Sequence, residues 1–224
     1  MLEEQGHIVE DMAAPIDGVD LMNHYYVMNC GEMDAVVRGI EQATDRKLTE
    51  YDLEIESWML HTAGTQITAA EYSLSLAAWD RAAANMAHFH ETYDFYITPA
   101  TAATAPKVGE LTRSREEQEQ LREQMRTAKQ SEQLALVYDM FLPSLTYTPF
   151  TQLANLTGQP AMSLPLHLSD EGLPLGVQVM AGKGEEHRLL NLAYHLEQSD
   201  LWHGMQGNPY MATAEQSTSQ TNRR

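Results

Sequence analysis

An α/β fold is the class this sequence predicts, and three observations predict it. Two short apolar runs, AMSLPL at 161–166 and GVQVMA at 176–181, are separated by the turn-rich SDEGLP. They lead through a charged entry into an amphipathic stretch ending near Glu197, the pattern of two adjacent buried strands and a covering helix. A long apolar stripe with a capped start marks a helix over 69–92. YDFYITP follows it, an aromatic and β-branched run closed by Pro99, which reads as a buried strand.

In chain order, MLEEQGHIVED reads as the last turn of a helix, a Gly6 stop and a strand of the HIVE type, so the chain is expected to begin in mid-fold. AAPIDGVDLMNHYYVMNCGEM is expected to be loop and short helix, with Pro15, Gly18 and Gly31 as breakers. MDAVVRGIEQATDR predicts a modest helix of its own. Thr49 is placed to cap the next helix, which carries Tyr51, Ile55, Trp58, Met59 and Thr62 on one face and stops at Gly64. In the helix over 69–92, Thr68 and Glu71 have capping-box spacing. Tyr72, Leu76, Trp79, Ala83, Met86 and Tyr93 alternate at three and four residues to form its apolar stripe. Residues 113–133 are charged and Gln-rich, with a second capping box at Ser114 and Glu117, and predict a solvated helical excursion. LALVYDMFLPSLTYTPFT then returns to the apolar stretch. Residues 1–204 read as one domain, and 205–224, without periodicity, as a disordered tail.

Composition narrows the partners. With 32 acidic and 14 basic residues in 224, the formal charge is −18, which argues against nucleic acid or an anionic membrane surface as a partner. A single cysteine permits no internal disulfide and points to a reducing compartment. No run approaches the ~18 apolar residues of a membrane helix, and the first residues have no signal core. A soluble cytoplasmic protein is the expectation.

Motifs for chemistry are sparse. Among nine histidines, His88 and His90 point to nearly opposite sides of their helix, and His187 and His195 lack a third ligand, so neither metal nor cofactor is expected. Gly176, Gly182 and Lys183 are spaced one residue too far apart for a phosphate loop, and Gly184 stands where Ser or Thr is needed. No SxxK or GxSxG occurs. Cys30 reads as a packing residue or, failing that, a pocket-lining one.

Ordered pieces of the chain nevertheless share a family pattern. TPFTQLANLTGQPAMSLPL and EGLPLGVQVMAGKGEEHRLLNLAYHLE resemble the C-terminal signature of the amidase-signature serine amidohydrolases. QGHIVED with Pro15 and Asp17, HYYVMNCGEMDA, and YDFYITPATAATAPKVGEL agree in order, so the likeness covers most of residues 1–200. It implies a mixed β-sheet flanked by helices and amide hydrolysis through a serine, a second serine and a lysine. Those three belong to a Gly/Ser-rich N-terminal half, and no GGSSGG-like run occurs here. The fold expected is therefore an incomplete amidase-signature fold, and no catalytic residue is assigned.

By the same resemblance, the segment from Tyr25 to Met33 walls the substrate pocket, which nominates Tyr26 and Cys30 as substrate-binding residues. Where the transamidating relatives carry an arginine for a substrate carboxylate, this chain has Glu56, Ser57 and Trp58. Trp58 and Tyr26 thus favour an uncharged or apolar amide, in the manner of linear and cyclic amide hydrolases. Glu185 is placed to meet a substrate amine, or simply to sit at a helix N-terminus as a favoured acid. Asn155, Gly158, Pro160 and Gly176 read as scaffold. Three roles stay open: an amidase C-terminal segment inactive alone; one chain of a two-chain amidase, joined to an N-terminal half or self-associating through its exposed sheet face; or a non-catalytic binding module.

Overall fold

The computed structural model describes residues 1–204, so the tail expected at 205–224 lies outside the described residues. A 3-10 turn at Glu3–Gln5 ends on Gly6, whose φ of +90° supplies the expected stop. The strand expected after it does not form. His7–Glu10 finds no pairing partner among the described residues, and Ile8 is 92% exposed.

Helix α1 runs unbroken over Gly18–Thr44, started by Asp17, whose carboxylate accepts from the amides of Val19 and Asp20 at 3.0 Å each. The two shorter segments expected here are one helix, and Gly31 does not break it. Its role is clearance: a Cβ at Gly31 would come within 3.1 Å of the Tyr72 ring on the neighbouring helix. Helix α2 spans Ile55–Gly64. Thr49 does not cap it; its amide and hydroxyl instead bind the Asp52 carboxylate at 2.8 and 2.7 Å, closing the turn before it. Gly64 marks the point where α2 crosses α1, for a Cβ there would lie 2.0 Å from the Cys30 carbonyl oxygen.

Helix α3, Ala69–Phe89, carries the expected capping box between Thr68 and Glu71. Its buried seam is Ser75, Ala78, Ala82, Met86 and Phe89, which shares Met86 with the predicted stripe but runs one residue before it at 75, 78 and 82. Small residues let the backbones approach, so the bulky ones move to the flanks. Trp79 stacks on Tyr25 at 6.1 Å, and Leu76 is left exposed.

The charged segment divides in two. Helix α4, Arg115–Thr127, has its Ser114–Glu117 capping box, and helix α5 follows at Gln130–Tyr147. Arg122 and Met125 of α4 are buried. The Arg122 guanidinium lies over the rings of Tyr51 and Trp58 at 5.1 and 5.4 Å and donates to the Glu50 carbonyl. Pro143 sits inside α5 and cannot donate to the carbonyl of Asp139. The Arg113 guanidinium supplies that bond at 3.1 Å.

Helix α6, Thr151–Thr157, ends on Gly158 at φ +71° and delivers the chain to the sheet. Strands β1 (Phe95–Pro99), β2 (Ala161–Leu168) and β3 (Pro174–Ala181) pair in the order β1-β3-β2, antiparallel throughout. A bulge between Leu164 and His167 falls at Pro165, which lacks a donor for the ladder. Alternation along β3 separates two cores. Val179 and Ala181 meet Leu189, Leu192 and Leu196 of helix α7, Glu186–Glu197. Met180, between them, meets Met86 and Phe89 of α3 and Ala154 of α6.

Candidate functional site

A mostly apolar cavity of about 360 Å³ lies where the segment before α1 passes between the ends of α5 and α6. Its position follows from local structure. Asp17 starts α1 and turns the preceding apolar segment, Ala13–Ile16, over strand β1, where the Ala14 amide donates to the Tyr96 hydroxyl at 3.3 Å. Ile16, Leu21 and Met22 form one wall, Leu142 and Leu145 of α5 a second, and Leu153 and Leu156 of α6 the floor. Neither a carboxylate nor an ammonium, guanidinium or imidazole lines it. Its polar groups are neutral: two tyrosine hydroxyls, Thr146 and Gln152. Thr146 already donates to the Leu142 carbonyl at 2.8 Å. No serine, cysteine or lysine reaches the lining, so the site can hold an apolar group but has no nucleophile or base to attack it.

Three of the residues nominated from the sequence come together elsewhere. Tyr26, Cys30 and Trp58 share the helical core formed with Met59, Met125 and Val137, and all three are buried. Tyr26 stacks on Phe141 at 5.1 Å, and its hydroxyl pKa is raised by burial and then by Tyr25 and Tyr138. Burial pushes the Cys30 thiol up to about 12, which leaves it protonated and inert as a nucleophile. None of the three lines the cavity; Met22, Tyr138 and Leu145, packed against their cluster, do. Glu185 stands apart, just before α7, with Arg188 Nε 2.6 Å from its carboxylate. That places it as an ion-paired acid at a helix start.

The histidines stay dispersed: His88 pairs with Glu91 at 2.9 Å on the surface, and His90 Nδ1 contacts the Tyr93 carbonyl at 2.8 Å. Among the described residues no three His, Cys, Asp or Glu side chains are grouped to hold a metal ion. Sequence reasoning missed the cavity's own residues, such as Ile16, Leu142, Gln152 and Leu153. Ile16, Leu142 and Leu153 carry only an apolar character that core residues share, and Gln152 is a lone neutral amide with no motif around it.

A family model described as "Amidase" matches residues 1–190. The chain belongs to the amidase family. It is 38% identical over 194 residues to a lipoamidase of Enterococcus faecalis, covering 85% of this chain and 26% of that amidase. To the 6-aminohexanoate-cyclic-dimer hydrolase of Pseudomonas sp. (strain NK87) it is 31% identical over 172 residues, covering 75% of this chain and 32% of the relative. The solved structure of a 6-aminohexanoate cyclic dimer hydrolase complexed with substrate superposes with a TM-score of 0.70 at 26% identity, covering 88% of this chain and 38% of that one. The chain therefore has the α/β arrangement of part of an amidase. It spans about a quarter to a third of the length of these curated amidases. Among the described residues the sheet has three strands, all paired antiparallel.

Proposed function

We propose that this chain is one part of an amide hydrolase, supplying sheet core and a wall of the substrate cavity, while the serine–serine–lysine triad comes from residues outside it. On this reading it does not hydrolyse amides alone. One observation carries the reading: the cavity is built to hold an apolar group, yet nothing in its lining can attack a carbonyl. Tyr26, Cys30 and Trp58 then act from behind, as the packing that fixes Tyr138 and Leu145 in the wall. Glu185 keeps the start of α7 in place rather than meeting substrate.

The complement is an N-terminal amidase half. The sheet offers it a place, since Ala161 and Ser163 of β2 are exposed on the face that α3 and α6 cover further along. Among the described residues no helix is long and apolar enough to cross a membrane. The lone, unpaired Cys30 supports a reducing, cytoplasmic setting.

The test is complementation. The N-terminal portion of the Enterococcus faecalis lipoamidase, cut where the similarity to this chain begins, is mixed with the full chain and assayed on an aryl amide. The chain alone should show no turnover above buffer, and the mixture should show it. Turnover by the repurified chain alone, or an inert mixture whose two parts bind each other, overturns the proposal.

A further inference from the structure

The segment between the Glu3–Gln5 turn and α1 is held differently from the elements around it. From His7 to Asp17 it takes neither helical nor strand form, and of its residues only Ala14 and Ile16 are sheltered from solvent. It nevertheless makes a wall of the apolar cavity through Ala13, Ala14 and Ile16. Ile16 packs against the cluster of Leu21, Ala82 and Leu156, and Leu156, on the cavity floor, is only 9% exposed.

The ties that hold this strap down are few. Among the described residues, two hydrogen bonds join it to the β1 region: the Tyr93 hydroxyl donates to the Glu10 carboxylate at 2.7 Å, and the Ala14 amide donates to the Tyr96 hydroxyl at 3.3 Å. Both tyrosine rings rest on buried Phe89, with centroids 4.7 and 5.6 Å from it. The two posts stand on the core, and the strap only leans on them. Each end of the strap carries a glycine with room around it. A Cβ at Gly6 or Gly18 would meet nothing within 4 Å, and Gly6 already lies at φ +90°.

We propose that residues 7–17 are a lid, which turns about Gly6 and Gly18, is latched by the hydroxyls of Tyr93 and Tyr96, and opens the cavity floor at Leu156 when it lifts. Burial of Ala14 and Ile16 makes the closed form the resting one. A segment with so few apolar contacts and hydrogen bonds opens at a cost well below that of unfolding. The lid goes beyond the amide-hydrolase reading and is measured without turnover, so an inert complementation mixture leaves it standing.

Thiol labelling of the full chain with N-ethylmaleimide at pH 7, read by mass spectrometry, tests it. Leu156→Cys puts a reporter under the lid, and Leu153→Cys, half-buried in the same floor, serves if the first does not fold. Val36→Cys, at an exposed place on α1, gives the rate of an unshielded thiol, and native Cys30, buried in the helical core, reports general loosening. The reporter should label more slowly than Val36→Cys. Adding Tyr93→Phe and Tyr96→Phe, which removes the latches and keeps the rings, should speed the reporter at least ~10-fold while Cys30 stays unlabelled. Gly18→Ala, which stiffens one hinge, should slow it about two-fold. A reporter rate indifferent to the latches, or equal to that of Val36→Cys with the latches intact, overturns the lid. An acceleration shared by Cys30 also overturns it, because the core and not the strap would then have opened. A rate unmoved by Gly18→Ala overturns that hinge.

Discussion

The helical half and the sheet half of this molecule are held together on different terms. Helices α1, α2, α4 and α5 close a core around Met59, Met125 and Val137, and polar clamps seal its edge. Arg122 is wedged over two rings there, and Arg126 binds the Glu50 carboxylate. The sheet has α7 across one face, while the other is covered by α3 and α6 only in part, leaving Ala161 and Ser163 exposed. A chain spanning a fraction of its relatives can thus carry one core that is complete and one that is open on a side. The complete core should tolerate little change, and the open one more.

The largest expected effect is at the α1–α2 crossing. Gly64→Ala puts a methyl 2.0 Å from the Cys30 carbonyl oxygen, where backbone must move, and should cost about 3 kcal/mol or more by urea unfolding. Gly182→Ala, at the junction of sheet and α7, meets His90 and Glu185 atoms no nearer than 3.5 Å and should cost less than about 1 kcal/mol. Equal costs would erase the contrast. Next comes Arg122→Met, which removes the guanidinium from both rings and from the Glu50 carbonyl; a loss of about 2 kcal/mol is expected, read by the same unfolding.

Acid should act more gently, through carboxylates that close turns and helix starts in both halves. Asp52 is held down to about 2, first by the Thr49 amide, then by the Thr49 hydroxyl and Arg46. Glu71 and Glu117 are lowered by their capping-box partners, Thr68 and Ser114. Folded values below the ordinary 3.8 and 4.5 mean that this stabilisation is present above about pH 4.5 and is lost as pH falls toward 2. Tryptophan fluorescence, to which the core residue Trp58 contributes alongside Trp79 and Trp202, should report loosening across that window, and a flat profile would deny these contacts any part in stability. The smallest effect is none at all: Cys30, buried and with its thiol pushed up to about 12, should not react with a disulfide reagent at pH 8 until the helices unfold.

What the sequence made legible were features written in residue type. Thr68 with Glu71 and Ser114 with Glu117 announce helix starts because only such pairs satisfy both orphan donors. AMSLPL, GVQVMA and YDFYITP announce strands because runs so short and apolar fit little else. Gly31 misled because a glycine needed for helix–helix clearance looks the same as one that stops a helix. The seam of α3 was offset because Ser75, Ala78 and Ala82 are too small to register as an apolar face. Tyr26 and Cys30 are nominated by the family resemblance and Trp58 by standing where relatives carry an arginine, yet the cavity is lined mainly by leucines and Ile16, which differ from core residues only in what lies beside them.

Strand order also sets a timetable. Both pairings in the sheet use β3, the last strand in the sequence, and β1 meets nothing else. A ribosome that has passed Pro99 must continue to Pro174 before β1 gains a neighbour, a delay of several seconds at roughly 5–20 residues per second. Helices α1 and α2 are made before that interval begins, and α4 and α5 are completed within it. The nascent chain assembles its helical half first, and during that wait Phe95, Tyr96 and Ile97 are the residues a chaperone would find.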